Sequence, residues 1–121
     1  MLIEFRVTNF RSFREEQTLS MVASKDKTHP ENLIPSGGSN LLKAAAIYGA
    51  NASGKSNLIK AFETMKRFVQ VSATKMNLGD PIPGISPFRL YSKTLQEPST
   101  FEVVFTENGD RYDYGFSAEK P

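Results

Sequence analysis

The sequence contains no cysteine and a single histidine, His29. Without thiols there is no disulfide scaffold, thiolate metal site or thiol nucleophile. One imidazole makes neither a histidine-cluster zinc site nor a Ser-His-Asp triad. Charge of one sign is scarce too, since 15 Lys+Arg stand against 13 Asp+Glu. A net charge of +2 is too small to mark a nucleic-acid or membrane ligand by bulk electrostatics, which needs a basic face or stripe. Long apolar runs are missing as well. The longest smooth one, residues 44–48, is far below the ~20 residues of a membrane span. Acid and base within the first six residues leave no signal-peptide pattern. These absences point to a cytoplasmic protein without a membrane partner.

What is present is globular in composition. The 121 residues are 39% hydrophobic and 23% charged, which excludes wholesale disorder. The length suits one domain or part of a larger one, burying roughly two-thirds of its unfolded surface.

Local pattern divides the chain. Residues 2–10 alternate, with Ile3, Phe5 and Val7 on one face and Glu4, Arg6 and Thr8 on the other, the signature of a half-buried strand. Residues 18–23 read as a second strand pairing with it across an aromatic-anchored turn. The polar stretch 24–40, with Pro30, Pro35 and Ser36-Gly37-Gly38-Ser39, reads as a surface loop. Residues 42–48 form a small-residue apolar run that predicts a buried strand. From Lys55 to the low seventies the spacing is helical: Leu58, Phe62, Met65 and Val69 share a stripe that Ala61 and Phe68 widen. Lys60, Glu63, Arg67 and Gln70 fall on the solvated side. Residues 77–87 carry glycines and prolines and predict a loop, with a short strand at 88–90. Asn108-Gly109 between the alternating runs 101–106 and 111–117 predicts a hairpin with a type I′ turn. That turn sets Phe105 opposite Tyr112, Val103 opposite Tyr114 and Phe101 opposite Phe116, all on a core face.

One motif carries chemistry. Gly49-Ala50-Asn51-Ala52-Ser53-Gly54-Lys55-Ser56 matches the phosphate-binding pattern G-x-x-x-x-G-K-[ST]. The glycines let successive N–H groups turn inward on phosphate oxygens, beside the positive end of a helix. Lys55 is placed to reach the β- and γ-phosphates of ATP, and the Ser56 hydroxyl to ligate Mg²⁺. By composition, on the order of one chain in a few hundred of this length carries the pattern by chance. Its position between an expected strand and an expected helix is the setting the motif requires.

Asn9-Phe10-Arg11-Ser12-Phe13, followed by Tyr48-Gly49 through Lys60-Ala61, resembles the start of an ABC-type ATPase head of the SMC/RecF/OLD-like group. The nearest likeness is to AAA-type bacterial ATP-binding proteins associated with phage defence. The resemblance implies an α/β P-loop NTPase fold in which antiparallel β hairpins flank the phosphate loop and its helix. It adds Arg11, Ser12 and Asn57 to the nucleotide-binding residues, because the N-terminal segment lies beside the nucleotide in that group and Asn commonly follows the Gly-Lys-Ser. Arg14 is drawn toward nucleotide or partner on the same ground. Ala52, where SMC-type loops often have glycine, favours the OLD-like branch.

An ABC-type head also needs a signature motif, a Walker B Asp-Glu and a switch histidine. None occurs in residues 1–121. The expectation is therefore the N-terminal part of a head, binding ATP and Mg²⁺. Hydrolysis would await the missing half and head homodimerisation, with DNA or a nuclease as a further partner. Two other readings stand beside it. One is a non-catalytic nucleotide- or DNA-associated scaffold module. The other, a small P-loop kinase or GTPase, is disfavoured because those place the loop about ten residues from the start.

Overall fold

The computed structural model describes residues 1–24, 29–36, 39–48, 54–72, 77, 80 and 84–119. Its main sheet has four antiparallel strands in the order β2-β1-β5-β6. These are β1 (Leu2–Thr8), β2 (Gln17–Ser20), β5 (Ser99–Glu107) and β6 (Asp110–Ala118), and between them β3 (Leu33–Ser36) and β4 (Ser39–Leu42) form a second, two-stranded sheet. The helix α1 spans Lys55–Ser72.

The alternation of β1 does what its period dictates: Phe5 and Val7 are fully buried. On the opposite face Arg6 stands across from Glu102 in the register and closes an ion pair at 2.7 Å. Gly115 is the next partner of Glu102. A Cβ there would lie 3.0 Å from both the Glu102 Cγ and the Phe101 carbonyl, so the missing side chain is what lets Glu102 lie flat over β6.

The β5–β6 hairpin has the expected register, with Phe105 opposite Tyr112, Val103 opposite Tyr114 and Phe101 opposite Phe116. Asn108 at φ +53° and Gly109 at φ +83° are the paired left-handed residues of a type I′ turn. The core face is narrower than the pattern suggested. Phe101 is fully buried, but Tyr112 and Tyr114 remain 46% and 39% exposed, because α1 covers only the end of the sheet where Phe5 and Phe116 lie. Val104, on the other face, is also buried.

The expected helix forms over its predicted span, and ring contacts fasten it down. Phe62 stacks on Phe5 with centroids 4.0 Å apart, and Phe68 on Phe116 at 4.0 Å. Phe116 meets Phe101 at 5.1 Å, and Phe101 meets Phe10 edge-on at 5.3 Å. Ala61 and Met65 are the buried positions of α1, while Val69 is 48% exposed. The stripe is thus centred one position off the expected line, toward Phe68. Ile85 joins the same core from the segment after the helix.

Three expectations are corrected. The stretch 24–40 is not all loop, since β3 and β4 pair from Leu33 opposite Leu42 to Ser36 opposite Ser39. Pro35 is tolerated there because β3 is an edge strand, where a missing N–H deprives no neighbour. The Leu42 N–H donates to the Met21 carbonyl at 2.7 Å and the Ala23 N–H to that of Asn40 at 2.8 Å, tying this small sheet to the end of β2. The strand expected at 42–48 is absent: regular pairing ends at Leu42, and residues 43–48 are exposed. A strand exists only where another backbone takes up its N–H and C=O groups, and no described strand lies beside this run. The strand expected at 88–90 is a bend, because the Phe88 N–H is taken by a side chain, Asn9 Oδ1.

The turn supplies a clean test of backbone strain. A Cβ at Gly109 would meet nothing within 4 Å, yet φ is +83°. Gly109→Ala is therefore expected to lower unfolding free energy by about 1–2 kcal/mol through the left-handed conformation alone. Urea titration measures it, and an unchanged midpoint would show that the turn relaxes freely.

Candidate functional site

The first turn of α1 carries the described end of the phosphate motif. Residues 49–53, with Gly49, Ala50, Asn51, Ala52 and Ser53, lie outside the described residues. Gly54, at φ +93°, accepts the Leu58 N–H on its carbonyl at 3.0 Å and so caps the helix. The amides of Lys55, Ser56 and Asn57 then occupy the first turn, where N–H groups have no partner within the helix and the helix dipole is positive. Lys55 is half-buried and Ser56 exposed. This is a donor set suited to phosphate oxygens, with one hydroxyl suited to Mg²⁺.

The N-terminal turn comes to the same place. A Cβ on Gly54 would sit 2.9 Å from Phe13 Cε1 and 3.0 Å from Ser12 Oγ, so only a glycine leaves room for that turn. Asn57 Nδ2 donates to Ser12 Oγ at 2.8 Å. Of the residues singled out from sequence, Ser12, Gly54, Lys55, Ser56 and Asn57 are thus gathered at one helix end. Arg11 stands nearby in the chain, exposed, with its guanidinium carbon 5.6 Å from the Phe10 ring centroid. Arg14 lies over the Tyr91 ring at 4.0 Å, a cation–π contact. Phe13, Gln17, Thr18, Leu19, Ile47, Tyr48, Gly54, Lys55 and Leu58 line a cavity of about 270 Å³ beside this helix end.

Sequence reasoning named Asn9 only as the first residue of the segment 9–13 and gave it no role. It is 2% exposed and adopts φ +52°, a conformation that Asn accepts more readily than most residues. Its Nδ2 donates to the carbonyls of Thr94 at 2.8 Å, Glu97 at 3.0 Å and Pro98 at 3.3 Å. Its Oδ1 accepts the Phe88 N–H at 2.9 Å, and its own carbonyl accepts the Ser99 hydroxyl. Thr94, also buried, shares its one O–H between the Phe88 and Tyr91 carbonyls, each at 2.7 Å from its Oγ1. Apart from its place in that segment, its signal was a turn-forming Asn directly after an alternating strand, which reads equally well as an exposed loop residue.

Among the described residues no group of three His, Asp or Glu side chains could hold a metal ion. No described helix is long and apolar enough to cross a membrane.

A glycine-capped helix opening on Lys-Ser, packed against an antiparallel sheet, has the character of a nucleotide-binding α/β domain. Residues 44–121 match the family model described as "AAA domain, putative AbiEii toxin, Type IV TA system". The match spans more than half of the chain, and the chain belongs to this AAA-domain family. An AAA domain is a nucleotide-binding, ATPase-type domain, and ATP with Mg²⁺ is consistent with that class. No curated protein and no solved structure matches the chain.

The close approach of Phe13 to Gly54 is measurable. Gly54→Ala is expected to cost roughly 2–4 kcal/mol, from the left-handed conformation and the overlap together. In a double-mutant cycle with Phe13→Ala, the two changes should couple by at least ~0.5 kcal/mol. Strict additivity in chemical denaturation would mean that the two groups do not touch.

Proposed function

We propose that this chain binds ATP·Mg²⁺ as the phosphate-binding part of an ABC-type head of the SMC/RecF/OLD-like group. The observation that supports this most directly is the convergence of Ser12 and Phe13 on Gly54 and Asn57. The N-terminal segment and the phosphate motif, 45 residues apart at Ser12 and Asn57, form one surface at a helix N-terminus.

In this reading the backbone N–H groups of the motif 49–56 would serve as donors to the phosphates. Lys55 neutralises charge on the β- and γ-phosphates, and Ser56 supplies one oxygen to Mg²⁺. Asn57 keeps Ser12 oriented, and Arg11 offers a guanidinium to the nucleotide. Mg²⁺ held at Ser56 would supply neutralisation of the phosphate charge. No residue of the chain is assigned to activating water. Hydrolysis in this reading depends on a Walker B Asp-Glu and a signature motif, neither of which occurs in residues 1–121, and on head homodimerisation. The proposal extends to a cytoplasmic protein of a defence system, with DNA or a nuclease as a further partner; the family's description, which names a putative AbiEii toxin of a type IV TA system, is compatible with a defence role.

ATP·Mg²⁺ at a hundredfold excess over Kd is expected to stabilise the chain by about 2.7 kcal/mol, a rise of roughly 10 °C in melting temperature for a domain of this size. GTP·Mg²⁺ should do less, and Lys55→Ala should abolish the shift. A larger shift with GTP would move the protein to the GTPase class, and no shift with either nucleotide would sink the reading. Enzyme-like ATP hydrolysis by this chain, lost in Lys55→Ala, would overturn the assignment of hydrolysis to groups outside it.

A further inference from the structure

We propose that Asn9 is a positioning residue for the nucleotide site, and that through it nucleotide affinity is tied to the order of the segment 86–98. The inference rests on the ATP-binding reading above and adds residues to which that reading gives no part.

Three links form a continuous chain of contacts. The first is Asn9 itself, whose side chain spends its amide donors on Thr94, Glu97 and Pro98 and its acceptor on Phe88. One buried side chain thereby holds both ends of the segment, and Thr94 braces its middle. The second link is the turn that follows. Phe10 and Phe13 exchange both backbone hydrogen bonds, at 2.9 and 2.8 Å, and the Arg11 N–H donates to the Ser86 carbonyl at 2.6 Å. With Arg11 at φ +50°, the turn has little freedom to shift while Asn9 and Ser86 hold its base. The third link is at the tip, where Ser12 accepts from Asn57 and Phe13 fills the space a side chain on Gly54 would need.

The direction of Ser12 and Phe13 is therefore set by contacts made on the far side of the turn. Loosening 86–98 frees the base of the turn, and the tip then presses less well on the helix start. The reverse holds by linkage: a ligand that orders the helix start must favour the ordered 86–98 segment by the same factor. A clamp that served folding alone would change stability and leave the affinity of the folded molecule untouched.

The test uses the full chain with ATP and Mg²⁺. Wild type should bind saturably, and binding should slow hydrogen exchange at the Phe88 and Arg11 amides, whose acceptors are Asn9 Oδ1 and the Ser86 carbonyl. Asn9→Ala and Thr94→Val should each raise the Kd for ATP·Mg²⁺ at least about fivefold, the lower end of ordinary coupling, measured where far-UV dichroism shows the chain folded. Thr94→Val keeps the side-chain volume close and lies outside the site, so it carries the test if Asn9→Ala does not fold. Wild-type binding with no change in exchange at 86–98, or a Kd within twofold of wild type in a folded variant, would overturn the coupling and leave ATP binding standing. Failure of the wild type to bind ATP·Mg²⁺ would remove both.

Discussion

The stacking of two rings of α1 on two rings of the sheet is the constraint from which the remaining arrangement follows. Phe62 on Phe5 and Phe68 on Phe116 fix the helix at two points almost two turns apart. Two such points set both the axis of the helix and its rotation about that axis. Once these are set, Ala61 and Met65 must face the core, and the first turn at Lys55–Asn57 is carried to the end of the sheet where β1 runs out. Aromatic pairs suit this purpose because they combine a large apolar area with preferred geometry. Phe10, Phe101 and Phe116 extend the contact in an unbroken series from the N-terminal turn to the helix.

The site sits where that constraint meets a second one, the satisfaction of buried polar groups. Beyond β1 the chain enters a turn containing two left-handed residues, Asn9 and Arg11. A buried amide without partners is costly, and Asn9 meets the demand by binding the backbone of a distant segment. The same bonds stop the turn from swinging away from the helix. The residues that would face a phosphate are thus held by apolar contact on one side and by a polar clamp on the other.

Much of this was legible in the amino-acid order. The β5–β6 register was, because Asn108-Gly109 allows only a two-residue loop and pairing is then a matter of counting. The span of α1 was, because its apolar residues keep the helical period and Gly54 marks its start. The β3–β4 pair was missed, since Pro35 and the central Ser-Gly-Gly-Ser are equally good loop chemistry, although Leu33-Ile34 and Leu41-Leu42 flank Gly37-Gly38 in the spacing of a short hairpin. The run at 42–48 misled for a related reason. Apolar character predicts a wish to be buried, whereas a strand also needs a neighbouring backbone.

By itself, then, the sequence determined local conformation and chemical type: a type I′ hairpin, an amphipathic helix, and a Gly-Lys-Ser capable of meeting phosphate at the head of that helix. These depend on residues within a few positions of one another, where sterics and periodicity act directly. Tertiary structure alone decided which contacts hold these distant residues together. It brought Ser12 to Asn57 and Phe13 to Gly54, turned Asn9 from a loop residue into a clamp on Thr94 and Phe88, and left residues 44–48 without a strand partner. Each of those outcomes depends on contacts between segments far apart in the chain, and these form only once the aromatic core has set the helix against the sheet.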